Sequence, residues 1–235
     1  MKMISGMYWE KGGRMSNQDS VLLQQVMTDR GRVLLAAVSD GIGGLQEGEI
    51  AGGYILESVL NTFYENFLLL LYKKKRKRFL KKCMLRCFYE INQNINQYAK
   101  AKAIRLGATV SLLIIWKRRY MTVHLGDSRI YLCNEKAVKQ LTTDHASTKG
   151  LTKCLGSFGY QEPEIKWGHI RGKKGFLLCT DGFYRRMDYH TLKNVLAPGE
   201  ITEELQIRRR LRTLGESVLK KGEQDNCSAL YIKVG

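Results

Sequence analysis

Five aspartates stand at the ends of strand-like runs, each beside Gly, Asn or Ser. They are Asp19 in "RMSNQDS", Asp40 in "VSDGIGG", Asp127 in "VHLGDSR", Asp181 in "LLCTDGF" and Asp225 in "EQDNCSA". A single aspartate there is an ordinary turn residue, because its side chain bonds nearby backbone. Five of them, in a chain this basic, raise another reading. Carboxylates gathered in one place repel each other unless cations intervene. The four histidines and six cysteines form no CxxC pair and no zinc-ligand spacing. Oxygen-only ligation of this kind suits Mg²⁺ or Mn²⁺.

The elements that must position these carboxylates can be read from hydrophobic periodicity. "YWEKGGRMSNQDSVLLQQVMTD" reads as strand, loop, strand, and "GRVLLAAVSDG" as a buried strand ending in a turn. From Glu47 a helix is predicted, with Ile50, Ala51, Tyr54, Ile55, Val59, Leu60 and Phe63 at helical spacing. A second helix is predicted over Arg78 to Lys100, with Phe79, Met84, Phe88, Ile91 and Ile95 on one face. "ATVSLLIIW", "YMTVHLG", "SRIYLCN" and "AVKQLT" read as an antiparallel meander. "EIKWGHI" and "GFLLCTDG" add strands, "YHTLKNVLA" and "TEELQIRRRLRTLGESVLKK" add helices, and "CSALYIKV" is a last strand. Without strict βαβ alternation, the class is α+β.

The chain has 235 residues with only two prolines and no linker-like stretch, so a single domain over residues 1–235 is expected. The formal net charge of +17 favours anionic partners. Cys133, Cys179 and Cys227 lie in apolar strands, where a reduced thiol acts as a small hydrophobe. Such usage, without a signal-peptide core in "MKMISGMYWEKGG", points to the reducing cytoplasm. The apolar run "FLLLLY" is too short to span a bilayer.

Taken in order, R-x-x-N-Q-D, S-D-G-x-G-G, G-A-T-V, G-D-S-R, L-T-x-D-H, L-L-C-T-D-G and Q-D-N resemble the metal-dependent type 2C family of protein serine/threonine phosphatases. The compact bacterial members are the nearest in pattern, and the likeness runs from Arg14 to Val234. It implies a four-layer αββα fold: a β-sandwich of two mainly antiparallel sheets flanked by helices, with a two-metal site at one end. It implies metal ligands at Asp40, which would bridge both ions, at Asp181, at Asp225 and at the Gly41 carbonyl. Asp19 would hold metal-bound waters, Arg14 would bind the substrate phosphate, and Asp127 with Asp181 would take a third, weaker ion. Two core Mn²⁺ or Mg²⁺ ions would generate a hydroxide that attacks phosphorus in line, while the Arg14 fork holds phosphoryl oxygens. Gly41, Gly43 and Gly44 would let the backbone turn tightly at the ions. The implied partners are phosphorylated proteins and a cognate Ser/Thr kinase whose action the enzyme opposes.

Three positions depart from the pattern. Gln18 replaces an acidic residue, and Ile42 replaces a histidine found in many eukaryotic members. The segment from Asp144-His145 to Leu155-Gly156 is short, so the flap beside the site is reduced to a turn or lost. His145 is expected to order this loop, and His124, His169 and His190 to be structural. The run "KKKRKR", Lys73 to Arg78, is a solvated segment or a docking surface for an acidic partner or an anionic membrane. The rival reading is a catalytically weak or inactive phosphatase-fold module that binds an acidic protein or membrane surface through this segment. Nucleic-acid binding would rest on charge alone, without a reading helix or aromatic-basic strands, and no nucleic-acid partner is expected.

Overall fold

The computed structural model describes residues 1–42, 47–148, 150–157 and 159–235. The first strands are β1 (Met3–Glu10), β2 (Asp19–Thr28) and β3 (Gly31–Asp40). Helix α1 (Gly48–Thr62) runs through a π-helical turn (Phe63–Phe67) into α2 (Leu68–Tyr72), and α3 (Lys77–Lys102) follows. The middle of the chain supplies β4 (Val110–Trp116), β5 (Arg119–Leu125), β6 (Arg129–Cys133), β7 (Val138–Gln140), β8 (Ala146–Ser147) and β9 (Gly150–Leu151). Then come β10 (Glu164–His169), β11 (Lys174–Cys179), α4 (Asp181–Tyr184), α5 (Tyr189–Val195), α6 (Glu204–Lys220) and β12 (Cys227–Val234).

Two five-stranded antiparallel sheets form, in the orders β1-β12-β11-β6-β7 and β10-β5-β4-β3-β2. They pack face to face. Central strands are buried on both faces, which is why they read as continuous apolar runs. In β3, Leu34, Ala36 and Val38 face the other sheet, while Val33, Leu35 and Ala37 face the helices. In β12, Leu230, Ile232 and Val234 point between the sheets, and Cys227, Ala229 and Tyr231 point outward to α5 and α6. Helices α1 and α3 cover the other sheet through Ala51, Ile55, Val59, Met84, Phe88, Ile91 and Ile95. The result is the expected four-layer αββα sandwich.

Three expectations need correction. Phe79 is exposed, and Leu80 takes the buried place at the start of α3. The segment 64–72, not read as helix, continues α1, anchored by fully buried Phe63 and Phe67. Each such aromatic adds roughly 1.5–3 kcal/mol of burial. The run β4 to β7 is not one meander: β4 and β5 pair in one sheet, β6 and β7 in the other. The chain changes sheets at Gly126, whose φ of +123° suits glycine alone. Asp181, read as the end of a strand, also opens the short helix α4.

Candidate active site

The sandwich topology gathers the strand ends that carry the aspartates. Asp19 begins β2 and Asp40 ends β3, and the register sets them directly opposite. Asp127 lies at the crossing from β5 to β6, Asp181 follows β11, and Asp225 precedes β12. A cleft of about 630 Å³ opens there, lined by Asp40, Gly41, Asp127, Asp181, Asp225 and Arg14. Asp19 lies beneath it, 3% exposed, accepting a hydrogen bond from Thr180 Oγ1 at 2.9 Å. All seven residues singled out in the sequence therefore meet at one end of the fold. The turn expected at Gly43 and Gly44 lies outside the described residues.

The cluster is electrostatically unbalanced. Burial, then the nearby charges of Asp181 and Asp225, push the Asp19 carboxyl up to about 7 against the pull of Thr180. Burial and four neighbouring aspartates, Asp19 first, hold Asp40 well above the usual carboxylate range. Burial and Asp181 raise Asp127 to about 6. Asp181 is raised too, chiefly by burial and by Asp225, with Arg185 opposing. The protein's own cations answer only part of this. Arg14 forks onto Asp225, with Nε and Nη2 donating at 2.9 and 3.0 Å. Arg185 is paired with Asp181 and reaches Asp225 at 3.8 Å.

Polar groups around the cluster fix its backbone. Thr109 Oγ1 accepts the Asp40 N–H at 3.1 Å and bonds Ser128 at 2.7 Å, while the Thr109 N–H donates to the Asp40 carbonyl at 2.9 Å. The G-A-T-V and G-D-S-R motifs thus brace the end of β3. Asn226 clamps the Arg14 loop: its Nδ2 donates to the Lys11 and Ser16 carbonyls, and its Oδ1 accepts the Gln18 N–H at 2.9 Å. A side chain at Gly41 would lie 2.7 Å from the Gly48 backbone, so α1 can close over this position only if it is glycine. The Gln18 amide donates to Glu49 at 3.0 Å.

The reduced flap survives as the hairpin β8-β9, and Ala146, Ser147, Gly150 and Leu151 form one wall of the cleft. At its base His145 Nδ1 accepts the Gly126 N–H at 3.1 Å, and its ring stacks on buried His124. Arg129 holds Asp144 in a bidentate pair and lies 3.6 Å from the centre of the Tyr184 ring. Arg129 therefore ties the flap base to α4, whose Tyr184 hydroxyl donates to the Asp127 carbonyl. Arg185, Asn226, Thr109 and Thr180 were not singled out from sequence. Of these, Asn226, Thr109 and Thr180 carried a signal, as members of the Q-D-N, G-A-T-V and L-L-C-T-D-G motifs.

The donor set fits hard divalent cations. One oxygen of Asp19 is buried without a hydrogen-bond partner, and Asp40 and Asp127 have no basic ion-pair partner among the described residues. Among the described residues no three acidic, imidazole or thiol groups stand close enough together to hold an ion as they are, with Arg14 and Arg185 paired to Asp225 and Asp181. An open arrangement of carboxylates and a carbonyl suits Mg²⁺ or Mn²⁺, which keep several waters.

The fold and this site belong to a known class. The protein phosphatase 2C family model matches residues 12–220. The chain belongs to the protein phosphatase 2C family, and it is a protein serine/threonine phosphatase of the compact bacterial type. It is 26% identical over 242 residues to protein phosphatase PhpP of Streptococcus pneumoniae, covering 94% of this chain and 93% of that one. Its fold matches serine/threonine phosphatase Stp1 from Staphylococcus aureus with a TM-score of 0.85 at 19% identity, over 100% of this chain and 96% of that one. It also matches the catalytic domain of PstP, solved with two manganese ions, with a TM-score of 0.73 at 22% identity over 99% of each chain.

Proposed function

We propose that this phosphatase hydrolyses phosphoserine and phosphothreonine esters in proteins with two Mn²⁺ or Mg²⁺ ions held by Asp40, the Gly41 carbonyl, Asp181 and Asp225. The observation that carries the reading is the convergence of five aspartates, four of them pushed up by burial and mutual repulsion, on one cleft beside Arg14. When bound, such ions supply a nucleophile at neutral pH and Lewis-acid charge at the phosphoryl oxygens.

The chain's own residues do the rest. Asp40, paired opposite Asp19 in the sheet register, would be a ligand shared by both ions. Asp19, held by the Thr180 hydroxyl, would orient metal-bound water from below. Arg14 is exposed at the lip, and its fork can leave Asp225 for two phosphate oxygens once ions satisfy that carboxylate. Arg185, paired with Asp181 and near Asp225, would have to give way to an ion at Asp181, and Asp127 with Asp181 would hold a third, weaker ion. Ile42 offers no proton to the leaving alkoxide, which therefore takes it from water.

The substrates are phosphorylated proteins, and a cognate Ser/Thr kinase would supply them. A cytoplasmic place is supported by the reduced thiols of Cys83, Cys87, Cys133, Cys179 and Cys227. Among the described residues no helix is long and apolar enough to cross a membrane. Phosphate release from a phosphothreonine peptide tests the reading. Turnover should appear with Mn²⁺ or Mg²⁺ and vanish with EDTA, and undiminished release in EDTA would overturn it.

A further inference from the structure

The end of the sandwich opposite the carboxylates carries a second cleft of about 720 Å³. Eight lysine and arginine side chains line it, and no carboxylate among the described residues does. Its floor is apolar, made by Val33, Leu68, Leu71, Leu80 and Trp116. A neighbouring cleft shares Arg30, Arg32 and Lys117 and adds Lys2 and Arg118. The cations come from separate stretches of chain: the N-terminus, the β2-β3 turn, the α2-α3 junction and the β4-β5 turn. All lie where the strands end, so they form one face rather than one charged segment. Ten residues of β3 separate this face from Asp40, about 30 Å at the rise of a strand.

Apolar side chains stand exposed among these charges. Leu69 is 47% and Tyr72 56% exposed, and Tyr64 lies beside them. The Arg30 guanidinium covers the Tyr72 ring at 4.4 Å, and Lys77 lies over Trp167 at 5.3 Å. Cations with aliphatic stems, interfacial aromatic rings and a protruding leucine together suit the boundary between phosphate headgroups and acyl chains. A nucleic acid would use the charges and leave the leucine idle. An acidic protein would need a fixed pattern of carboxylates to match charges spread over four separate segments.

We propose that this distal face docks the phosphatase on a bilayer rich in anionic phospholipid, with the carboxylate cleft turned away from the membrane. Each cation near the surface adds to the attraction, and Leu69 and Tyr72 enter the headgroup layer. The proposal does not depend on how the cleft performs its chemistry.

Vesicle flotation of the full chain tests it, using phosphatidylcholine alone or mixed with phosphatidylglycerol. One variant, Lys75→Gln with Arg76→Gln and Arg118→Gln, removes three exposed charges. The other, Leu69→Gln, keeps every charge. Wild type should float only with phosphatidylglycerol. The charge variant should bind about a hundredfold more weakly, and Leu69→Gln about tenfold. Both should hydrolyse a small aryl phosphate as wild type does, which shows that they are folded and separates docking from catalysis. No flotation with phosphatidylglycerol vesicles, or equal binding to neutral ones, overturns the proposal. So does undiminished binding by Leu69→Gln, which would mark a simple polyanion site for RNA or an acidic protein.

Discussion

The two ends of the sandwich are built from the same strands and carry opposite charge in opposite ways. At one end, five aspartates from five chain segments crowd into a cleft, largely buried, each raising its neighbours' affinity for protons or metal ions. At the other, lysines and arginines stand apart on exposed turns and are solvated. Burial makes the difference. Like charges on a wet surface cost little, and salt screens them. Like charges in a cleft are held against their own repulsion and are stable only with a counter-charge. The acidic end is thus poised for cations, and the basic end for a diffuse anionic surface.

The largest effect should come from breaking the crowded end at its centre. Asp40→Asn removes one carboxylate facing four others, and turnover should fall by about three orders of magnitude, in keeping with the loss of a core ion. The same variant relieves repulsion, so the melting temperature of the metal-free chain should rise. Activity near wild type, or a collapsed fold, would show that Asp40 has an ordinary structural role.

Next in size is the scaffold beneath. Asn226→Ala frees the Arg14 loop from three backbone anchors. A 10–100-fold loss of kcat/KM is expected, about the effect of removing a group that orients a metal site. Circular dichroism should show the fold retained, and full activity would mean that Arg14 needs no clamp.

Acidity sharpens the comparison further. Asp19 titrates near 7 and Asp127 near 6 in the metal-free fold. Because these values are raised, the carboxyls favour the folded state most below about pH 4, and that contribution is lost as pH rises towards 7. Binding a cation must then expel protons. Mn²⁺ affinity and the stabilisation it brings should rise steeply from about pH 5 to 7.5, with protons released on titration. A flat pH dependence of Mn²⁺-induced melting shifts would show that these carboxyls are already ionised.

The smallest effect should come from Arg185→Gln. This guanidinium, half-exposed and paired with the buried Asp181, competes with an ion for that carboxylate, so its removal should tighten Mn²⁺ binding a few-fold, roughly 0.5–1 kcal/mol. Weaker binding would mean that Arg185 orients Asp181 for the ion.

Most of the acidic end was legible because Asp beside Gly or Asn at the edge of an apolar run marks both a strand boundary and a ligand. The layer order followed from the seven ordered motifs. What stayed hidden depends on distance in sequence. Arg14 and Asp225 meet across 211 residues, and the step between sheets at Gly126 leaves no periodicity to read. Arg185 is one arginine among many until α4 turns it towards Asp181. The helix over 64–72 was missed because its leucines look like a generic apolar run, and the basic face because only its 73–78 stretch is continuous in sequence.

The central claim is that the carboxylate cleft is a two-ion site centred on Asp40, and calorimetric titration with Mn²⁺ near neutral pH tests it most directly. Wild type should take up about two ions per chain, and Asp40→Asn should lose most binding at both positions while remaining folded. A wild-type chain that binds no Mn²⁺, or an Asp40→Asn variant that binds as many ions with the same affinity, would contradict the account.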